Sequence, residues 1–187
     1  MVDLSLLQSV SYTAGALSVM LGVIYYVNNL RETNNNRRIT TTTTLVQSLL
    51  TLESLNIEGE LYQMTWKDFE DFKRKYDSSV NVDNFSKRMK LWGIYEVIGT
   101  LYKSGLLNMQ SLFCVTSFSI VNVWIRFKPI IEEYRKVSYG RDGYKNWEYV
   151  AHEVAKYIEK TDPLWRSNAA EFFSPEEYDR AFKLGSP

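Results

Sequence analysis

Apolar residues dominate the first thirty positions of the chain. No charged residue occurs between Asp3 and Arg31, and residues 10–27 read VSYTAGALSVMLGVIYYV. A helix needs about 20 mainly apolar residues to cross the hydrocarbon core of a bilayer. The pattern therefore predicts one transmembrane helix from about Leu6 to Asn28.

Two other interpretations of this apolar run remain open. A cleaved signal peptide begins with a basic region, but Asp3 is the only charged side chain before the run. Ala14-Gly15-Ala16 resembles a cleavage site, yet the apolar run continues well beyond it. A buried helix of a soluble domain is the other alternative, although few such helices are apolar on every side. These comparisons favour a membrane anchor.

Basic residues follow the predicted span and none precedes it. They are Arg31, Arg37 and Arg38. Cytoplasmic flanks of membrane spans carry an excess of Lys and Arg. We therefore expect a single-pass protein of the cell membrane, with its N-terminus outside and its C-terminal domain in the cytoplasm. Lipid headgroups are the natural partners of these three arginines.

Small residues recur along one face of the predicted span. Ser11, Gly15, Ser18 and Gly22 follow one another at intervals of four, three and four. Small residues at this spacing let two helix backbones approach closely in a membrane. This face predicts a homo-oligomer formed through the transmembrane helix.

A polar segment separates the anchor from the rest of the chain. Residues 34–36 are three asparagines and residues 40–44 are five threonines, all poor helix formers. We predict three regions: a tail and anchor at 1–32, a polar juxtamembrane segment at 33–44 and a helical domain at 45–187. The alternative is that the anchor helix continues straight through the polar segment.

The remaining sequence shows helical spacing and no convincing strand alternation. Leu45, Leu49 and Leu52 predict a helix that ends near residues 56–59. Thr65 is the predicted N-cap of the next helix, and Asp83 that of a helix over 84–104 ended by Gly105. Asn108 predicts the start of the next helix, which Pro129 restarts or kinks. Another helix is predicted over 144–159, and Asp162-Pro163 and Ser174-Pro175 predict two later helix starts. The fold class is all-α: one N-terminal transmembrane helix followed by a soluble, bundle-like domain of several helices.

A second apolar stretch raises the question of a second span. Residues 104–125 are also free of charge. Asn108, Gln110 and Asn122 would be costly in lipid, and basic residues flank the stretch on both sides. We therefore prefer a central core helix here.

Composition narrows the function without defining it. Lys plus Arg and Asp plus Glu both number 22, so no net charge attracts nucleic acid. The single cysteine excludes an internal disulfide, and one cysteine with one histidine argues against a zinc site. His152-Glu153 begins like a zinc-protease motif, but Lys156 stands where the second histidine belongs. We expect no metal site, no cofactor and no catalytic residue.

Four residues of the C-terminal half are the best candidates for a groove. Trp124, Arg135, Trp147 and Glu148 combine large aromatic surfaces with opposite charges. The alternative is that both tryptophans belong to the core and that Arg135 pairs with Glu148 between helices. Because large aromatics dominate core energetics, the core interpretation is favoured.

Several short motifs between residues 84 and 160 carry a resemblance to a known family. They are Tyr95-Glu96, Gly105-Leu106-Leu107, Trp124, Pro129, Arg135 and Asn146-Trp147-Glu148-Tyr149. With the anchor, this part resembles an uncharacterised prokaryotic family of single-span membrane proteins, the domain of unknown function numbered forty-seven sixty. The resemblance implies a membrane-anchored helical domain, and it carries over no activity to this chain.

The sequence thus favours a non-catalytic, membrane-anchored interaction or adaptor domain, or an accessory subunit, with an unknown protein partner. The alternative is a ligand-sensing or enzymatic domain whose site is dispersed along the chain. An apolar pocket with converging polar groups would favour the alternative, and a solid core with an exposed aromatic patch would favour the adaptor.

Overall fold

The computed structural model describes residues 4–49, 51–116, 118–169 and 172–183, without the side chains of residues 6, 114, 115 and 183. Within these ranges all regular structure is helical, which confirms the all-α class. The helices are α1 (Leu4–Leu49), α2 (Leu52–Gln63), α3 (Phe69–Tyr76), α4 (Val82–Lys103), α5 (Met109–Thr116), α6 (Ser119–Val137), α7 (Lys145–Thr161), α8 (Trp165–Asn168) and α9 (Pro175–Lys183).

The chain divides into two units, Met1–Thr40 and Thr41–Pro187. In the first unit, every described side chain from residue 4 to residue 40 is exposed. In the described part of the chain, α1 is the one helix long and apolar enough to cross a membrane. The alternative of a buried helix within a soluble domain therefore has no support from this unit.

Helix α1 does not break at the polar juxtamembrane segment. It continues through the asparagines at 34–36 and the threonines at 40–44 to Leu49, so the alternative of a continuous helix is confirmed and the predicted break is wrong. The physical reason is that Asn and Thr each cost less than about 0.7 kcal/mol in a helix. No glycine or proline, the residues that end helices, occurs between residues 23 and 49.

The predicted helix through Leu45, Leu49 and Leu52 is also wrong. The chain turns between α1 and α2, where the Thr51 hydroxyl accepts a hydrogen bond from the Ser54 amide at 3.1 Å. Leu45 and Leu49 are therefore buried at the end of α1, whereas Leu52 begins α2 and is exposed. A threonine N-cap thus interrupts a spacing that looked continuous in the sequence.

Other helix ends show how local the capping signals are. Asp68 caps α3 in place of Thr65, and Asn81 caps α4 in place of Asp83; both predicted caps are wrong. Each of these side chains accepts the amide hydrogen bond of the residue three positions later, as a good N-cap does.

Three predicted end signals are confirmed. Gly105 ends α4 with a φ of +73°. The Asn108 side chain accepts from the Ser111 amide at 2.8 Å and so caps α5. Ser174 and Glu177 form the reciprocal hydrogen bonds of a capping box at the start of α9.

Described parts of the stretch 104–125 contribute to the domain core. They form α5 and the first part of α6, where Leu112, Val121 and Trp124 are buried. This placement agrees with the preferred core interpretation and leaves the second span without support. Pro129 lies inside α6, and the helix continues past it to Val137.

The core centres on α4, α6 and α7. Three fully buried tryptophans come from these helices; the ring centroid of Trp147 lies 6.1 Å from that of Trp92 and 5.1 Å from that of Trp124. The Trp147 indole N–H donates to the Ile120 carbonyl at 3.0 Å. These contacts fix the three helices to one another.

Helices α4 and α7 approach each other closely at Gly99. A Cβ atom at Gly99 would lie 2.1 Å from the carbonyl oxygen of Asn146 and 2.9 Å from the backbone nitrogen of Trp147. Next to this contact, the Glu96 carboxylate accepts hydrogen bonds from the backbone N–H groups of Asn146 and Trp147. Glu96 therefore caps α7 from a neighbouring helix, where Tyr144 makes no side-chain cap.

Candidate functional site

The structure brings the four candidate groove residues together at the core. Trp124 and Trp147 are fully buried. The Arg135 side chain donates from Nε to the Gly143 carbonyl at 2.7 Å, and its Nη2 lies 3.0 Å from a carboxylate oxygen of Glu148. The four residues thus join α6 to the start of α7.

The electrostatics of Glu148 reflect this position. Partial burial raises the pKa of its carboxyl, but the hydrogen bond from Lys145 and the charge of Arg135 lower it more, so the net pKa is below its usual value. A carboxylate held ionised between two cations suits an ion pair between helices. It does not suit a general acid, whose pKa must lie near the working pH.

The predicted pairing face of α1 is open. Gly15 and Gly22 have no heavy atom within 4 Å of the position that a Cβ atom would take. The hydroxyls of Ser11 and Ser18 donate to the carbonyls of Leu7 and Ala14 within the helix. The face is therefore free of polar groups that need an external partner, and pairing through it stays a prediction. The flanking arginines at 31, 37 and 38 are exposed.

A groove that sequence reasoning missed lies in the helical domain. It has a volume of about 700 Å³ and is formed by the segment 64–69, by α6 and by α9. Its lining includes Met64, Trp66, Lys67, Asp68, Arg126, Lys128, Glu132, Glu133, Glu177 and Arg180. This volume lies within the range of small-molecule sites in proteins.

The aromatic part of the groove is built around Trp66. Its partly buried ring stacks on Phe127 at 5.2 Å and meets the edge of Phe72 at 5.2 Å. The Arg126 guanidinium lies 5.0 Å from the Trp66 ring centroid, a cation–π contact. The core thus holds Trp66 firmly while part of its surface lines the groove.

Two cations of the groove close helix ends. Arg126 donates to the carbonyls of Leu61 and Met64, at the C-terminus of α2. Burial lowers the pKa of the Arg126 guanidinium, and the charge of Glu177 acts against this effect. The Lys128 ammonium, on a side chain only 3% exposed, donates to the Ala181 carbonyl at 2.9 Å, in the last turn of α9. Cations at helix C-termini are stabilising because carbonyls there lack helical partners.

The acids of the groove all have partners in the fold. Asp68 and Glu177 accept backbone hydrogen bonds as helix caps. Glu133 pairs with Lys136 at 2.6 Å, and Glu132 lies 3.5 Å from the Lys128 ammonium. In contrast, the structure gives the exposed side chains of Lys67 and Arg180 no ion pair among the residues it describes. The groove lining thus contains four cations and four acids, and opposite charges lie side by side along it.

The single histidine of the chain does not line the groove. His152 is half-buried against the ring of Phe182, with centroids 4.7 Å apart. Burial, followed by the nearby charge of Lys128, lowers the pKa of its imidazole. No group of three or more His, Cys, Asp or Glu side chains suited to a metal ion occurs in the described ranges. A neutral histidine on an aromatic ring fits a role in packing.

The geometry defines a class: an exposed apolar helix joined in sequence to an aromatic-rich helical domain with a charged groove. The chain belongs to the DUF4760 family, a domain of unknown function, whose family model matches residues 16–154. No curated protein and no solved structure matches the chain. Helix α9, which contributes Glu177, Arg180 and Ala181 to the groove, lies beyond the matched residues.

The motifs that carry the family resemblance have structural roles. Tyr95 packs on Trp147 with ring centroids 5.1 Å apart, and Glu96 caps the helix that begins beside it. Arg135 binds the turn before α7 through the Gly143 carbonyl. These residues therefore explain why the fold keeps its shape, and they identify no catalytic group.

Proposed function

We propose that this chain is a single-span membrane protein whose helical domain is a non-catalytic interaction module. The proposal rests on one observation: most ionisable groups of the groove already have structural roles in the fold. Its four acids serve as caps and ion-pair partners, while part of Trp66 and the cations Lys67 and Arg180 remain available to a ligand. A general acid or base has to reach the substrate, whereas Trp and Arg are the residues enriched at protein interfaces.

Membrane anchoring is supported by the surface of the first unit. Most of its large apolar side chains, among them Leu17, Val19, Leu21 and Ile24, are more than half exposed. Contiguous apolar surface of this extent is unfavourable in water and favourable in lipid. We place the helical domain in the cytoplasm, because the basic residues Arg31, Arg37 and Arg38 follow the span.

We expect the full chain to stay in the membrane pellet after washing with alkaline carbonate or high salt. A span is held by apolar burial, and neither treatment weakens that burial. The measurement is an immunoblot of pellet and supernatant, with a peripheral membrane protein as the control that is released. Intact chain in the supernatant would refute the anchor.

Self-association through α1 is a separate expectation. Gly15→Leu combined with Gly22→Leu should weaken pairing in a membrane dimerisation assay, because two leucines keep the helix backbones apart. Val19→Leu, a bulkier side chain at an exposed position of the same helix, is the matched control and should pair as the wild type does. Equal pairing by the wild type, the double variant and the control would refute pairing through the small-residue face.

A ligand-sensing domain is the second candidate, and the volume of the groove, about 700 Å³, favours it. A metal ion or nucleotide that binds the native state would raise the melting temperature as its concentration increases. A melting temperature that does not respond to either would leave the interaction module as the better explanation.

A further inference from the structure

A buried cation of the helical domain lacks the partners that such a group normally has. Arg88, on α4, is fully buried, and its Nη2 donates to the Tyr76 carbonyl at 2.9 Å. Its Nε and Nη1 are also buried and make no hydrogen bond within the described part of the chain. No carboxylate of that part forms an ion pair with it. Burial of a charge is costly unless the charge is paired and hydrogen-bonded.

Aromatic rings surround the Arg88 guanidinium. Its Cζ atom lies 4.8 Å from the ring centroid of Phe72, 4.9 Å from that of Trp92 and 5.6 Å from that of Phe85. These cation–π contacts offset part of the cost of burying the charge. They provide no hydrogen-bond acceptor for Nε and Nη1, so two donor groups of the guanidinium stay unused.

Two tyrosine hydroxyls near Arg88 also lack a strong acceptor. Tyr139 and Tyr144 both donate to the sulfur of Met89, at 3.6 and 3.5 Å, and a thioether is a weak acceptor. Burial raises the pKa of both phenols, and the nearby charge of Arg88 acts against this effect. The guanidinium and the two hydroxyls thus form a cluster rich in donors and poor in acceptors.

We propose that Arg88, Tyr139 and Tyr144 form a binding site for a small monoatomic anion, of which chloride is the test case. The anion accepts hydrogen bonds from Nε and Nη1 and from the two hydroxyls, and it neutralises the buried charge. Because Arg88 is fully buried, the site discriminates against larger anions. None of the three residues lines the groove, so this inference goes beyond the proposed function and does not depend on it.

Tyr139 and Tyr144 connect the site to solvent. Both rings are only partly buried, with centroids 5.4 Å apart, and they flank the turn 140–143 between α6 and α7. Tyr144 has a φ of 59°, a left-handed backbone conformation that bulky side chains rarely adopt. Strained residues of this kind cluster at ligand sites. The anion therefore enters between these two rings.

The test is thermal unfolding of the full chain in phosphatidylcholine nanodiscs, with gluconate exchanged for chloride at constant ionic strength. Chloride at about ten times its Kd should raise the melting temperature by about 3–5 °C, because it binds the native state. The rise should saturate with chloride concentration. Gluconate is too large for the site and keeps the screening of surface charges constant.

Two variants assign the effect to the site. Arg88→Met replaces the buried cation with an apolar chain, a change that is often neutral or stabilising, and its melting temperature should not depend on chloride. Tyr139→Phe keeps the ring and loses one hydrogen bond to a charged ligand, so the Kd for chloride should rise about tenfold. Tyr149→Phe, at an exposed tyrosine on α7, is the matched control and should keep the wild-type Kd.

A wild-type melting temperature that does not change with chloride would overturn the inference. An equal chloride response in Arg88→Met would also overturn it, because the response would then arise elsewhere. If Arg88→Met does not fold, Tyr139→Phe decides the question. Weaker chloride binding by Tyr139→Phe but not by Tyr149→Phe supports the site, whereas an unchanged Kd in Tyr139→Phe contradicts it.

Discussion

Gly99→Ala should lower the free energy of unfolding of the helical domain by about 3 kcal/mol, an overpacking effect at the top of the usual range. The added methyl group would lie 2.1 Å from the Asn146 carbonyl oxygen and 2.3 Å from its carbonyl carbon, both atoms of the backbone. Because neither can rotate away, α4 and α7 have to separate. That separation also lengthens the hydrogen bonds by which Glu96 caps α7.

Gly93→Ala is the matched control, six residues earlier on the same helix. A Cβ atom at Gly93 has no neighbour within 4 Å, so only helix propensity changes. Alanine is favoured over glycine in a helix interior by about 0.5–1 kcal/mol, and this variant should be slightly more stable than the wild type. The measurement is urea denaturation of residues 41–187. Two variants that shift in the same direction would show that α4 and α7 are not packed as described.

Trp124→Ala should lower the free energy of unfolding by about 3–5 kcal/mol, from lost transfer energy plus the cavity left behind. Trp124 is fully buried and contacts the ring of Trp147 edge to face. We expect residues 41–187 to be soluble, helical by circular dichroism and cooperative in unfolding, since this unit contains the whole aromatic core. Denaturation curves of wild type and variant measure the difference.

Val137→Ala provides the comparison for Trp124, because Val137 is 70% exposed at the end of α6. A surface change of this kind should alter stability by less than about 0.5 kcal/mol. A pull-down on the Trp124 variant completes the test. Nearly unchanged stability together with lost partner capture would move Trp124 from the core to an interface and contradict its assignment.

The sequence predicted most helices because their signals are local. A glycine after α4, an asparagine before α5 and the Ser174–Glu177 box act within one helical turn. The errors arose where two local signals compete. Asp68 and Asn81 cap their helices, although Thr65 and Asp83 nearby are also residue types that can act as N-caps. The low helix propensity of Asn and Thr was too weak to break α1.

The groove could not be predicted, because its walls come from segments about 60 and 50 residues apart in sequence. Arg126 and Lys128 gave the best available signal. They are two cations on a helix whose other residues from 120 to 131 are mostly apolar. Their use as caps for α2 and α9 depends on which helix ends the fold brings to them, and periodicity does not contain that information.

Affinity purification of the tagged full chain from detergent-solubilised native membranes tests the central claim, a membrane-anchored interaction domain, most directly. We predict a protein that copurifies with the wild type in near-stoichiometric amount. Recovery of the chain from the soluble fraction would contradict the account. So would recovery of the chain alone from membranes, with a small molecule bound that raises its melting temperature.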